Sequence, residues 1–210
     1  MRAIEAAQCA EIAYRVNGKG PAAQLGYQYK QIKANCLRGW IGQKEGKTVV
    51  AIRGTVFPRN GRSTLEENLL TDLVHWCGPG KVHEGFYRLL WRLLRPIKQH
   101  LIVGNRLYFT GHSMGAALAV LAASVIGADR VFVFGCPRIG DQEFAQEINR
   151  KLRVTRYENR CDLVTRLPIK GALKHPSGRT GLYKPVGRVV KMSAFGHSMK
   201  AYINGLQMRA

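Results

Sequence analysis

Acidic residues are the scarce class in this 210-residue chain: 13 Asp and Glu stand against 33 Lys and Arg, a formal net charge of +20. A field of that sign attracts nucleic acid, anionic lipid headgroups or acidic substrates, besides keeping the surface solvated. Long apolar runs are also lacking. The longest, Ala116 to Ile126, falls short of the about 20 residues that span a bilayer. Met1 to Glu5 shows no basic stretch leading into an apolar one, so the sequence predicts no signal peptide and a cytoplasmic location, with secretion without a visible signal as the alternative. The five cysteines, 9, 36, 77, 136 and 161, include no Cys-x-x-Cys pair. An odd count without that spacing reads as reduced thiols, several of them buried, rather than a metal knuckle or a disulfide framework. There is no internal repeat, low-complexity tract or Pro/Gly-rich linker, so one domain over residues 1–210 is expected.

What is present is an alternation of element types. The pattern predicts helices over Ala3–Tyr14, from Phe86 to Leu101, Met114–Ile126, Asp141–Lys151 and Ser198–Leu206. It predicts strands over Thr48–Arg53, Leu107–Thr110, Val131–Phe134, Val154–Tyr157 and Val186–Met192. A further short helix carrying Leu65, Leu69 and Leu70 is expected after Ser63. Strands alternating with helices imply an α/β fold with a mainly parallel central sheet covered by helices on both faces. Ligands in such sheets bind at the carboxyl ends of the strands.

Gly111-His112-Ser113-Met114-Gly115 fits Gly-x-Ser-x-Gly, between a predicted strand and a predicted helix. A serine on so sharp a turn needs small neighbours two residues away, and Gly111 and Gly115 supply them. The turn projects the hydroxyl outward over a helix N-terminus, where negative charge is favoured. Ser113 is therefore the candidate nucleophile. It needs a base, and the base needs an orienting acid, in the chain order Ser, acid, His.

Only His175 and His197 follow Ser113. His175 lies in a basic turn-rich loop. His197 lies after the last predicted strand and just before the last helix, and is preferred. Asp162, just beyond the strand Val154–Tyr157, is preferred as the acid over Asp141, whose position suits a helix N-cap. The oxyanion of a tetrahedral intermediate would be held by the Met114 N–H and by Thr55, at the end of the strand Thr48–Arg53.

These blocks, taken in order, resemble the class 3 (fungal-type) lipase family. The similar segments are Val49 to Thr55, Val82-His83-Glu84-Gly85-Phe86, Thr110 to Gly115, Phe134 to Asp141, Asn159 to Pro168, and His197-Ser198-Met199 followed by Tyr202. The resemblance implies an α/β-hydrolase fold and a serine esterase with Ser113, Asp162 and His197 as triad. It further implies a lipid or small ester as substrate, water as co-substrate, and no metal or organic cofactor. It also implies a lid-like segment near 56–72. The surplus charge suggests a phospholipase A1 acting on anionic membranes as an alternative. A basic nucleic-acid-binding protein is a rival of another class. It lacks any helix-turn-helix, zinc spacing or aromatic platform in its support, and no specific nucleic acid is expected.

Overall fold

The structure is a computed structural model and describes residues 1–55, 72–168 and 183–209. The strands are β1 (Gln28–Ala34), β2 (Leu37–Lys44), β3 (Lys47–Ile52), β4 (Leu73–His75), β5 (Lys81–His83), β6 (Arg106–His112), β7 (Arg130–Phe134), β8 (Val154–Arg160) and β9 (Arg188–Phe195). The helices are α1 (Ala3–Ile12), α2 (Lys19–Gln24), α3 (Glu84–Lys98), α4 (Met114–Ile126), α5 (Gln142–Lys151) and α6 (Met199–Gln207). A seven-stranded sheet runs β1-β2-β3-β6-β7-β8-β9, and β4 and β5 form a separate two-stranded ribbon. From β3 to β9 every pairing is parallel. β1 and β2 join that block by antiparallel pairings.

The central strands are buried on both faces, and successive side chains serve two cores. Val50, Ile52, Phe109, Val131 and Val133 face α3, α4 and α5. Val49, Ala51, Tyr108, Phe132 and Phe134 face α1 and α6. This period-two division is why these strands read as continuous apolar runs rather than alternating ones. Buried on nearly all sides, α4 is apolar around its circumference. By contrast, α3 keeps Arg88, Arg92 and Arg95 exposed and buries Phe86, Leu90, Leu93, Leu94 and Ile97.

The expected α/β fold is present, with local differences. The sequence reading passed over residues 28–44, which form β1 and β2. Gln28–Ala34 is polar and sits at the sheet edge, so it carries no buried run to notice. The last strand lies at Arg188–Phe195, two to three residues later than expected. The expected short helix after Ser63 and all but Asp72 of the expected lid lie outside the described residues. All five cysteines are free, and Cys9 and Cys136 are buried. Among the described residues no helix is long and apolar enough to cross a membrane.

Candidate active site

Ser113 stands between β6 and α4 with φ 58° and ψ −132°. A positive φ on a non-glycine residue costs on the order of 1–3 kcal/mol and persists only where its surroundings enforce it. The enforcement is tight packing. A Cβ on Gly115 would come within 2.2 Å of the Ile52 carbonyl oxygen, so only glycine lets α4 approach β3 this closely. The Ser113 N–H is held by the Phe134 carbonyl at 3.0 Å. Met114 opens the helix, so its N–H lies outside the i→i−4 ladder and points out of the N-terminus.

The candidate acid lies in the loop after β8. Asp162 is 3% exposed and its carboxylate accepts from three donors. His197 Nδ1 lies 2.8 and 2.9 Å from its two oxygens, Tyr202 Oη donates at 2.5 Å, and the Val164 N–H at 3.0 Å. Burial works to raise the Asp162 pKa, but the His197 bond and charge, with the other two donors, outweigh it and hold the carboxyl below its usual range. Asp162 only accepts, so His197 Nδ1 carries the proton and Nε2 of the neutral ring is an acceptor. His197 Nε2 and Ser113 Oγ are both buried, and neither has a hydrogen-bond partner among the described residues.

A second set of contacts crosses the site. His112 Nε2 lies 2.5 Å from the His197 carbonyl oxygen, and the two rings lie tilted at 35° with centroids 4.4 Å apart. A carbonyl oxygen only accepts, so Nε2 donates and Nδ1 is the acceptor, with the Tyr14 hydroxyl donating to it at 2.7 Å. Tyr14 Oη in turn accepts the Gly54 N–H at 3.1 Å. The chain Gly54–Tyr14–His112–His197 thus ties the loop before Thr55 to the backbone of the histidine. Burial first, then the His197 charge, lowers the His112 pKa to about 3, so it stays neutral. Burial raises Tyr14 to about 12, so it stays a donor. Gly54 fits only without a side chain, because a Cβ there would lie 2.4 Å from Tyr14 Oη and 2.6 Å from the His112 carbonyl.

The sequence-predicted residues therefore fall as follows. Ser113, Asp162 and His197 gather at the carboxyl end of the parallel strands. Thr55 and Met114 meet, with the Thr55 hydroxyl 3.6 Å from Met114 Sδ. Asp141 is elsewhere and caps α5 by accepting from the Phe144 N–H at 2.9 Å. His175 lies outside the described residues. Sequence reasoning missed Tyr14 and the structural part played by His112. Tyr14 lies just past the first helix, 98 positions from its partner, and no local spacing signals such a contact.

The chain is similar to several known proteins. A secreted mono- and diacylglycerol lipase of Malassezia restricta is 33% identical over 125 residues, covering 52% of this chain and 42% of that protein. Phospholipase A1-IIdelta of Arabidopsis thaliana is 39% identical over 91 residues, covering 37% of this chain and 22% of the relative. The chain thus spans less than half the length of these curated relatives. A crystal structure of a lipase from Yarrowia lipolytica superimposes with a TM-score of 0.66 at 18% identity, covering 90% of this chain and 78% of that one. That likeness establishes the α/β-hydrolase fold. The expectation of a cytoplasmic location is overturned, because the Malassezia relative is by name a secreted lipase. The first few residues of the chain were too slight a basis for it. Residues 49–171, more than half of the chain, match the family model described as lipase (class 3), and the chain belongs to that family.

Proposed function

We propose that this protein is a serine hydrolase that cleaves carboxylic esters of lipids. Ser113 Oγ attacks the ester carbonyl while His197 Nε2 takes its proton. The Met114 N–H and Thr55 hold the oxyanion of the tetrahedral intermediate. His197 returns the proton to the leaving alcohol, and an acyl-enzyme on Ser113 forms. Water then repeats the sequence and releases the carboxylic acid. Asp162 keeps Nδ1 protonated and stabilises the imidazolium, and Tyr202 steadies Asp162. The reading calls for no metal or organic cofactor.

The observation that carries it is the Asp162–His197 pair beside a strained Ser113, with Ser113 Oγ and His197 Nε2 buried and uncommitted to any other partner among the described residues. Ser113→Ala should lower turnover of a p-nitrophenyl ester by roughly 10⁴-fold or more, with the circular dichroism spectrum unchanged. Unchanged turnover would sink the assignment.

A second reading, a phospholipase A1, draws on the +20 charge and on the phospholipase relative. Comparing hydrolysis of acylglycerols and of 1-acyl phospholipid bonds, from acetyl to stearoyl esters, separates the two. Preference for the phospholipid bond favours the second reading.

A further inference from the structure

Beside the acid loop, a cavity of about 510 Å³ opens between the segment carrying Arg138, strands β8 and β9, and the turn after Asp162. Five cations line it: Arg138, Arg156, Arg160, Arg166 and Lys191. Its carboxylates, Glu158 and Asp162, are both already committed. Glu158 takes Arg156 Nη1 at 2.6 Å on one oxygen and the Lys191 ammonium on the other. Asp162 serves His197 and Tyr202. Among the described residues lining the cavity, no carboxylate is left over for the remaining three arginines. Arg138 donates to the Pro168 carbonyl at 3.0 Å, Arg160 lies over the Phe195 ring at 5.1 Å, and Arg166 makes no ion pair among the described residues.

Arg156 marks this as more than a basic patch of surface. It is 7% exposed, lines the cavity, and its buried Nε has no hydrogen-bond partner among the described residues. Buried donors in folded proteins are nearly always paired. Burial first, and then the Arg156 charge, works against the ionised form of Arg138. Glu158 works the other way.

We propose that this cavity is a binding site for a phosphate group, whether free or carried on a lipid headgroup. Planar guanidinium forks match tetrahedral oxyanions, and several converging forks exceed what the two oxygens of a carboxylate can use. A phosphate offers three or more strong acceptors and up to two charges to answer them. The site goes beyond the hydrolase reading, and its occupancy is read without any turnover. Failure of one therefore leaves the other standing.

The test is calorimetric titration of the whole protein with inorganic phosphate, and sedimentation with phosphatidylcholine vesicles with and without phosphatidic acid. The variants are Arg138→Gln/Arg166→Gln and Arg166→Gln alone. Should the double variant fail to fold, the exposed Arg166 carries the test. Arg92→Gln/Arg95→Gln on the exposed side of α3 removes the same charge elsewhere. Phosphate affinity should fall roughly tenfold or more in the cavity variants and stay within about twofold in the control. Loss of vesicle binding alongside identifies the headgroup as the source; unchanged vesicle binding identifies free phosphate. No phosphate binding by the native protein overturns the proposal, as does an equal loss in the α3 control.

Discussion

At the scale of single residues, the site is held by hydrogen bonds whose direction is forced. The His197 carbonyl can only accept, and that one fact orients His112 and then Tyr14. Tyr14→Phe removes the middle of the chain while keeping the ring in its packing against His112. It should lower kcat by about tenfold and leave KM nearly unchanged, because the loss falls on positioning and not on substrate contact. Steady-state kinetics on a soluble ester checks it, and an equal rise in KM would point to a disturbed pocket instead. His112 adds a pH signature. Its folded pKa is lowered to about 3, whereas an unfolded histidine takes up its proton near pH 6.5. Between those values the unfolded chain binds more protons, so stability is full above about pH 6.5 and falls as pH falls. Denaturant titrations from about pH 7 to about pH 4.5 should show a loss from this group of about 2 to 3 kcal/mol. His112→Gln should flatten the profile by that amount.

At the scale of elements, what the sequence reveals depends on how local the cause is. The strand–serine–helix turn is local, and its glycines, its apolar helix and its largely apolar strand lie within about twenty residues of one another. The same holds for Asp141, whose N-cap position is visible in sequence and is where the structure puts it. Asp141→Ala should cost about 1 kcal/mol in chemical denaturation and leave ester turnover almost intact. Asp162→Ala should abolish turnover, so the pair separates a cap from a proposed triad acid. The polar edge strand β1 stayed illegible because it buries too little to leave a pattern. The crossing from Tyr14 to His112 stayed illegible because it joins elements that are neighbours only once the sheet has formed. Packing between elements is equally exacting at Gly115. Gly115→Ala must push α4 off β3, since the Ile52 carbonyl cannot yield as a side chain would. A loss of about 3 kcal/mol in stability, with turnover falling in parallel, is the expected result in denaturation and activity assays.

At the scale of the whole molecule, charge is the property the fold does not explain. The last 60 residues carry 13 Lys and Arg against Glu158 and Asp162 alone. Where described, many of these cations are exposed along β8 and β9, with Arg153, Arg160, Arg188 and Lys191 among them. Two large apolar side chains stand out from the same region, Leu163 at 66% and Phe195 at 62% exposure. Leu163 follows Asp162, and Phe195 lies two residues before His197. Apolar side chains beside the proposed triad, with Arg160 over the Phe195 ring, lead us to propose an anionic lipid surface rather than a dispersed soluble ester as what this face meets. Each Lys or Arg close to such a surface is worth about 1 kcal/mol, so a few suffice to govern partitioning. Screening decides how much of that survives. The Debye length falls from about 10 Å at about 0.1 M salt to about 3 Å at about 1 M. Partitioning onto phosphatidylglycerol-containing vesicles should therefore drop by about tenfold or more over that range. Partitioning onto pure phosphatidylcholine vesicles should be weak throughout, and turnover of a soluble short-chain ester should change by less than about twofold. Sedimentation with vesicles and a parallel ester assay measure both. If vesicle binding does not respond to salt while ester turnover does, the charge acts at the chemical step, and the surface has no part in recruitment.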